Sequence, residues 1–172
     1  MSKGRSSGRG AYGHLSPFVE GEGEKGGGKG ERYLVNAIIE TPKGSRNKFT
    51  YDEAVGVFAL KKVLPAGAVF PFDFGFVPNT KGGDGDPLDV LILMDEPAFP
   101  GCLVEARLIG VIEAEQTERD GETTRNDRLV AVAEVSHTHA EVRSIHQLSD
   151  TLVEEIEHFF LSYNELAGKE FK

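Results

Sequence analysis

Asp84-Gly85-Asp86-Pro87-Leu88-Asp89 places three carboxylates within six residues, directly ahead of the apolar stretch Val90 to Met94. Carboxylates this close repel one another. They stay ionised near neutral pH only with cations among them; otherwise at least one pKa rises. Hard oxygen donors suit Mg²⁺, Mn²⁺ or Ca²⁺ rather than zinc, and a strand behind them supplies the rigid base that a catalytic metal site needs. Asp, Gly and Pro are also ordinary turn formers, so an acidic surface turn is the competing reading. An EF-hand does not fit. With Asp84 at position one, position five is Leu88 and the glycine required at position six is Asp89, and a strand rather than a helix follows.

The elements that must position these groups are mostly strands. Tyr33 to Ile39 is an apolar run ended by Thr41-Pro42, and Lys48–Tyr51 and Val57–Leu60 are the next two strands, with a turn from Asp52 to Gly56 between them. Phe70, Phe72, Phe74 and Phe76 recur at period two, so an extended chain turns all four inward. Leu88–Met94, Leu103–Ile112 and Leu129–Ala133 complete the strand set. One helix follows, capped by Ser149 or Asp150, with Leu152, Ile156, Phe159, Phe160 and Tyr163 on a single apolar stripe. Many short strands and one late helix predict a small closed barrel with a helix packed on it.

A chain of 172 residues has room for one domain with a real core. Residues 1–30 carry ten of its 21 glycines and predict a flexible tail, leaving 31–172 as the single domain. The glycine run in the tail lacks the strand, the GK[ST] and the helix of a phosphate loop. A formal net charge of −9 argues against a nucleic-acid partner, and no apolar run is long enough to span a bilayer. The N-terminal basic residues lack the apolar core of a secretion signal. The lone Cys102, in an apolar stretch, reads as a buried structural thiol and fits a reducing cytoplasm.

With these residues in hand, the chain resembles the soluble, family I inorganic pyrophosphatases from about Tyr33 to Gly168. Asp84 to Val90 looks like the family signature. Glu40 to Lys48 resembles its strand and lysine segment, Phe70 to Phe76 its aromatic approach, and His158-Phe159-Phe160 with Tyr163 its C-terminal helix. The resemblance implies an α+β, mainly β fold: a five-stranded OB-like closed barrel with a flanking C-terminal helix, commonly a hexamer in prokaryotes. It implies hydrolysis of pyrophosphate to two phosphates by a metal-activated water, with Mg²⁺ or Mn²⁺ as cofactor. Asp84, Asp86, Asp89 and Glu40 would be metal ligands, with Asp86 also the catalytic proton acceptor. Lys48, Lys62, Arg128 and Tyr163 would bind substrate. In an arbitrary sequence Glu40 and Lys48 would be exposed strand-end charges.

The departures from the family pattern are specific. Thr50 replaces a glutamate, Lys62 an arginine, Phe70 and Phe74 two tyrosines, and Asn164 a lysine. Two further aspartates and a lysine have Gln116, Asn126 and Arg128 as their nearest counterparts, across a longer loop in which Asp120 or Asp127 could substitute after a register shift. Each lost charge-assisted contact is worth on the order of 1.5–3 kcal/mol. The alternative expectation is therefore a catalytically weakened or inactive relative that binds metal or phosphate, or acts as an assembly partner.

Overall fold

The computed structural model describes Tyr12, Leu15, Ser16, residues 33–117 and 121–166, and the backbone of 170–171. Most of the expected tail lies outside the described residues. Tyr12 meets the Tyr51 ring edge-on at 5.0 Å, and Asn36 Nδ2 donates to the Ser16 carbonyl at 2.9 Å.

Five strands close a barrel in the order β1 (Leu34–Thr41), β4 (Asp73–Val77), β5 (Leu88–Leu93), β9 (Arg128–Ala133) and β6 (Leu103–Ile112). Every neighbour is antiparallel except β5 and β9, which run parallel with Asp89 opposite Arg128. The barrel closes where β4 passes β1. A Cβ on Gly75 would lie 2.0 Å from the Ile38 carbonyl oxygen, so only glycine permits that approach. Outside the barrel, β2 (Asn47–Asp52) and β3 (Val57–Val63) form a hairpin. Strands β7 (Glu115–Thr117), β8 (Thr123–Arg125) and β10 (Glu170–Phe171) form a small sheet with β7 in the middle.

Alternation along the strands divides the core in two. Val35, Ala37, Ile39, Val77, Val90, Ile92, Val104, Ala106, Ala131 and Ala133 come from all five barrel strands and fill the interior with small side chains. The alternate residues, including Phe74, Leu91, Val130 and Val132, face outward into a second cluster. There they meet Ile156 and Phe160 of α1 (Asp150–Leu166). The Ser149 hydroxyl accepts the Leu152 N–H at 3.3 Å, so Ser149 is the helix cap.

The expected strands are present, with two differences. Phe70 and Phe72 precede β4 rather than forming part of it, because the chain turns at Pro71 before pairing begins. They are buried with Phe74 in the outward cluster, whereas Phe76 packs against Tyr12 and Tyr51. The polar β7–β8 hairpin carries no apolar pattern and was not expected. Cys102 is only partly buried, against the interior cluster.

Candidate active site

Asp89 and Arg128 are the second and first residues of two adjacent parallel strands, and they share the barrel's outer face. Arg128 Nη2 lies 3.6 Å from Asp89 Oδ2. Three elements rise around this pair. The loop ahead of β5 carries Asp84 and Asp86, the β2–β3 hairpin carries Lys48 directly opposite Lys62, and α1 brings Phe160, Tyr163 and Asn164. Together they enclose a cleft of about 420 Å³.

The acidic loop is held by its own backbone. Gly82 N–H donates to the Asp86 carbonyl at 2.7 Å, Gly85 N–H to the Gly82 carbonyl at 3.1 Å, and Asp86 N–H to Asp84 Oδ1 at 3.0 Å. Gly85 sits at φ +92°, a left-handed conformation that suits glycine. Thr80 splices the loop onto the barrel, its Oγ1 donating to the Val77 carbonyl at 2.6 Å and accepting Leu88 N–H at 2.9 Å. The tight turn therefore delivers Asp84 and Asp86 to the same cleft as Asp89.

The electrostatics of these carboxylates are strained. Burial raises the Asp89 pKa, and Asp84 and Asp86 push it further, against the pull of Arg128 and Lys48. Burial, then Asp84, raises Asp86. Glu40, on β1, is buried rather than exposed. Its carboxyl is pushed up to about 7, mainly by burial, although it accepts the Tyr51 N–H at 2.7 Å and faces Lys48. Lys48 is lowered, again chiefly by burial. Across the cleft the Lys62 ammonium lies 3.8 Å and the Lys48 ammonium 5.8 Å from the Tyr163 ring centroid.

Of the residues singled out from sequence, Asp84, Asp86, Asp89, Lys48, Lys62, Arg128 and Tyr163 all line the cleft, and Glu40 lies behind its wall. Gln116 and Asn126 line it as well, 3.0 Å apart. Asp127 does not take their place: it accepts Arg125 Nε at 2.7 Å and Ala114 N–H at 3.2 Å, and it faces a neighbouring depression. Asp120 lies outside the described residues. Sequence reasoning missed Lys61 and Thr124 as lining residues and placed Phe160 only in the helix stripe. Thr124 sits on the short polar strand β8, which gave no signal.

Among the described residues no three carboxylate, imidazole or thiolate groups converge into a finished metal cage. The donor set nevertheless fits hard divalent ions: three aspartates border one cleft, and the pKa values of Asp86 and Asp89 are raised by burial and by carboxylate neighbours. The closed barrel and this two-signed cleft define a protein that handles a small polyanion together with cations.

Comparison with known proteins agrees. A family profile described as inorganic pyrophosphatase matches residues 37–172. The inorganic pyrophosphatase of Synechocystis sp. is 41% identical over 136 residues, covering 79% of this chain and 78% of that protein. That of Geobacillus stearothermophilus is 39% identical over 140 residues, 81% of each. The crystal structure of inorganic pyrophosphatase from Thermus thermophilus superposes with a TM-score of 0.73 at 33% identity, covering 85% of this chain and 82% of that one. The chain belongs to the inorganic pyrophosphatase family.

Proposed function

We propose that this chain hydrolyses inorganic pyrophosphate to two phosphates in the cleft between the acidic loop, the β2–β3 hairpin and α1. The observation that carries this reading is the facing of Asp84, Asp86 and Asp89 against Lys48, Lys62 and Arg128 across one cleft. The named relatives support an enzyme over a non-catalytic binding protein.

Asp84, Asp86 and Asp89 would hold divalent ions, Mg²⁺ or Mn²⁺, with Glu40 supporting from behind. Such ions, when bound, would neutralise the substrate and lower the pKa of a water. The chain's own groups do the rest. Lys48 and Lys62 grip phosphoryl oxygens, and the Tyr163 ring orients both ammonium groups. Arg128 is set by Asn126 and Asp89, so its planar fork is organised before substrate arrives. Asp86, on the acidic loop at the edge of the cleft, would take the proton of the attacking water. Charge neutralisation and in-line positioning are the main demands of phosphoryl transfer.

The test is phosphate release by purified protein from pyrophosphate with millimolar Mg²⁺ or Mn²⁺. Asp86→Asn is expected to lower the rate by about 100-fold or more. Absence of release from the wild-type protein with either ion defeats the proposal. By the same family reading the protein is a cytoplasmic homo-hexamer, which light scattering would check for assembly.

A further inference from the structure

Tyr12, Leu15 and Ser16 lie ahead of residue 37, where the family match begins, yet each is fastened to the domain behind it. The Tyr12 ring packs against Tyr51 at 5.0 Å, Phe76 at 6.0 Å and Phe58 at 6.5 Å between centroids. All three fall in the attractive range of about 4.5–7 Å. Asn79 Nδ2 donates to the Leu15 carbonyl, and Asn36 Nδ2 to the Ser16 carbonyl at 2.9 Å. Leu15 N–H donates to the Tyr12 carbonyl at 3.0 Å, so the ring and its anchors belong to one turn.

The ring's partners come from two separate parts of the fold. Tyr51 and Phe58 face each other across the β2–β3 hairpin, whereas Phe76 is on β4, directly opposite Asp89 of β5. Residues directly opposite on neighbouring strands share a face. Tyr12 therefore bridges the hairpin that carries Lys48 and Lys62 to the barrel face that carries Asp89. The anchors lead the same way. Asn79 adjoins Thr80, which roots the acidic loop, and Asn36 is on β1, the strand of Glu40.

The hairpin has reason to need a second attachment. It stands outside the barrel, β3 is largely exposed, and a two-stranded hairpin alone is marginally stable. Its polar ties run to the end of β1. Thr41 Oγ1 donates to the Phe49 carbonyl and accepts the Phe49 N–H, both at 3.1 Å, and Tyr51 N–H donates to Glu40 at 2.7 Å. Held only along that edge, the hairpin pivots about it and swings both lysines. Lys48 is three residues from Tyr51, about 10 Å along an extended strand. A ring seated among Tyr51, Phe58 and Phe76 fixes the angle.

We infer that Tyr12 is a positioning residue, whose ring clamps the β2–β3 hairpin to β4 and so sets Lys48 and Lys62 against the acidic loop. Its consequence for the substrate rests on the pyrophosphatase reading; the clamp itself does not. Tyr12 acts through Tyr51, Phe58 and Phe76 and touches no reacting atom.

Hydrogen exchange and steady-state kinetics on the full-length protein test this together. Tyr12→Ala is expected to speed exchange of the hairpin amides about 3- to 10-fold, with β5 and β9 unchanged. The same variant is expected to raise KM for pyrophosphate about 3- to 10-fold at saturating Mg²⁺, with kcat within about twofold, because misplaced lysines weaken ground and transition states alike. Tyr12→Phe keeps the three ring contacts and should restore both readouts. The inference is overturned if Tyr12→Ala leaves hairpin exchange unchanged, if exchange quickens equally throughout the barrel, if KM does not move, or if Tyr12→Phe is as impaired as Tyr12→Ala. No phosphate release from wild type would defeat the pyrophosphatase reading instead, and the exchange data would still judge the clamp.

Discussion

The Lys62 ammonium lies 3.8 Å from the centroid of the Tyr163 ring, closer than any other cation–ring approach among the described residues. Burial holds the Tyr163 hydroxyl well above the ordinary phenol range, so it stays a proton donor at any working pH. Ring and hydroxyl therefore have separable roles. Tyr163→Phe is expected to raise KM for pyrophosphate about 3- to 10-fold through loss of a hydrogen bond. Tyr163→Leu removes the ring as well and is expected to cost a further factor of about 2 to 30. Equal kinetics in the two variants would deny the ring any part in placing the lysine.

Glu40 makes the metal-free protein sensitive to pH. Its carboxyl rises from 4.5 to about 7 on folding, so the native state holds an extra proton between those values. Stability from this group is complete below the lower value and declines as pH climbs through the upper one. The decline is at most about 1.4 kcal/mol per pH unit. Asp86 and Asp89, also raised, act with the same sign. Melting temperature in EDTA is expected to fall from about pH 5 to about pH 7, and Glu40→Gln should flatten that slope. Saturating Mg²⁺ should flatten it too, because bound cations favour the ionised carboxylates. A wild-type melting temperature that rises over this range contradicts the assignment.

Phe70 and Phe74 border the cleft although both are almost fully buried. A hydroxyl added at either ring edge offers a donor to a bound phosphoryl group. Phe70→Tyr and Phe74→Tyr are each expected to lower KM for pyrophosphate by about 2- to 10-fold, with melting curves reporting any packing penalty. An unchanged KM in both variants removes these positions from the phosphate site.

Gly75→Ala is the sharpest test of barrel closure. The new methyl would stand 2.0 Å from the Ile38 carbonyl oxygen, and its nearest neighbours, in Ile38 and Ile39, are all backbone, so it has no side chain to displace. A loss of about 3 kcal/mol or more is expected, read as a lower urea midpoint. A variant as stable as wild type would mean that β1 and β4 do not approach this closely.

The barrel was legible because its strands are short apolar runs bounded by turn residues, β5 a continuous run buried on both faces and β6 partly alternating. The acidic loop was legible from composition alone. The burial of Glu40 was not, since nothing local shows that the β2–β3 hairpin folds over the end of β1. Phe70 and Phe72 read as strand because phenylalanine at period two satisfies the pattern even where Pro71 interrupts pairing. The Gln116–Asn126 contact joins two polar segments across a hairpin with no apolar periodicity, so only the folded chain brings the pair together. Asp127, adjacent to Asn126 in sequence, is drawn off by Arg125 instead.

Asp89 and Arg128 begin two strands that lie side by side and point the same way. The segments leading into them, with the acidic turn before one and the amide-bearing hairpin before the other, thus hang from one end of a shared plank. Such a layout lets evolution rewrite either overhang without disturbing the timber beneath. Asp84 and Asp86 sit on one overhang and Gln116 and Asn126 on the other, so each bank of the cleft has its own reagent on common carpentry.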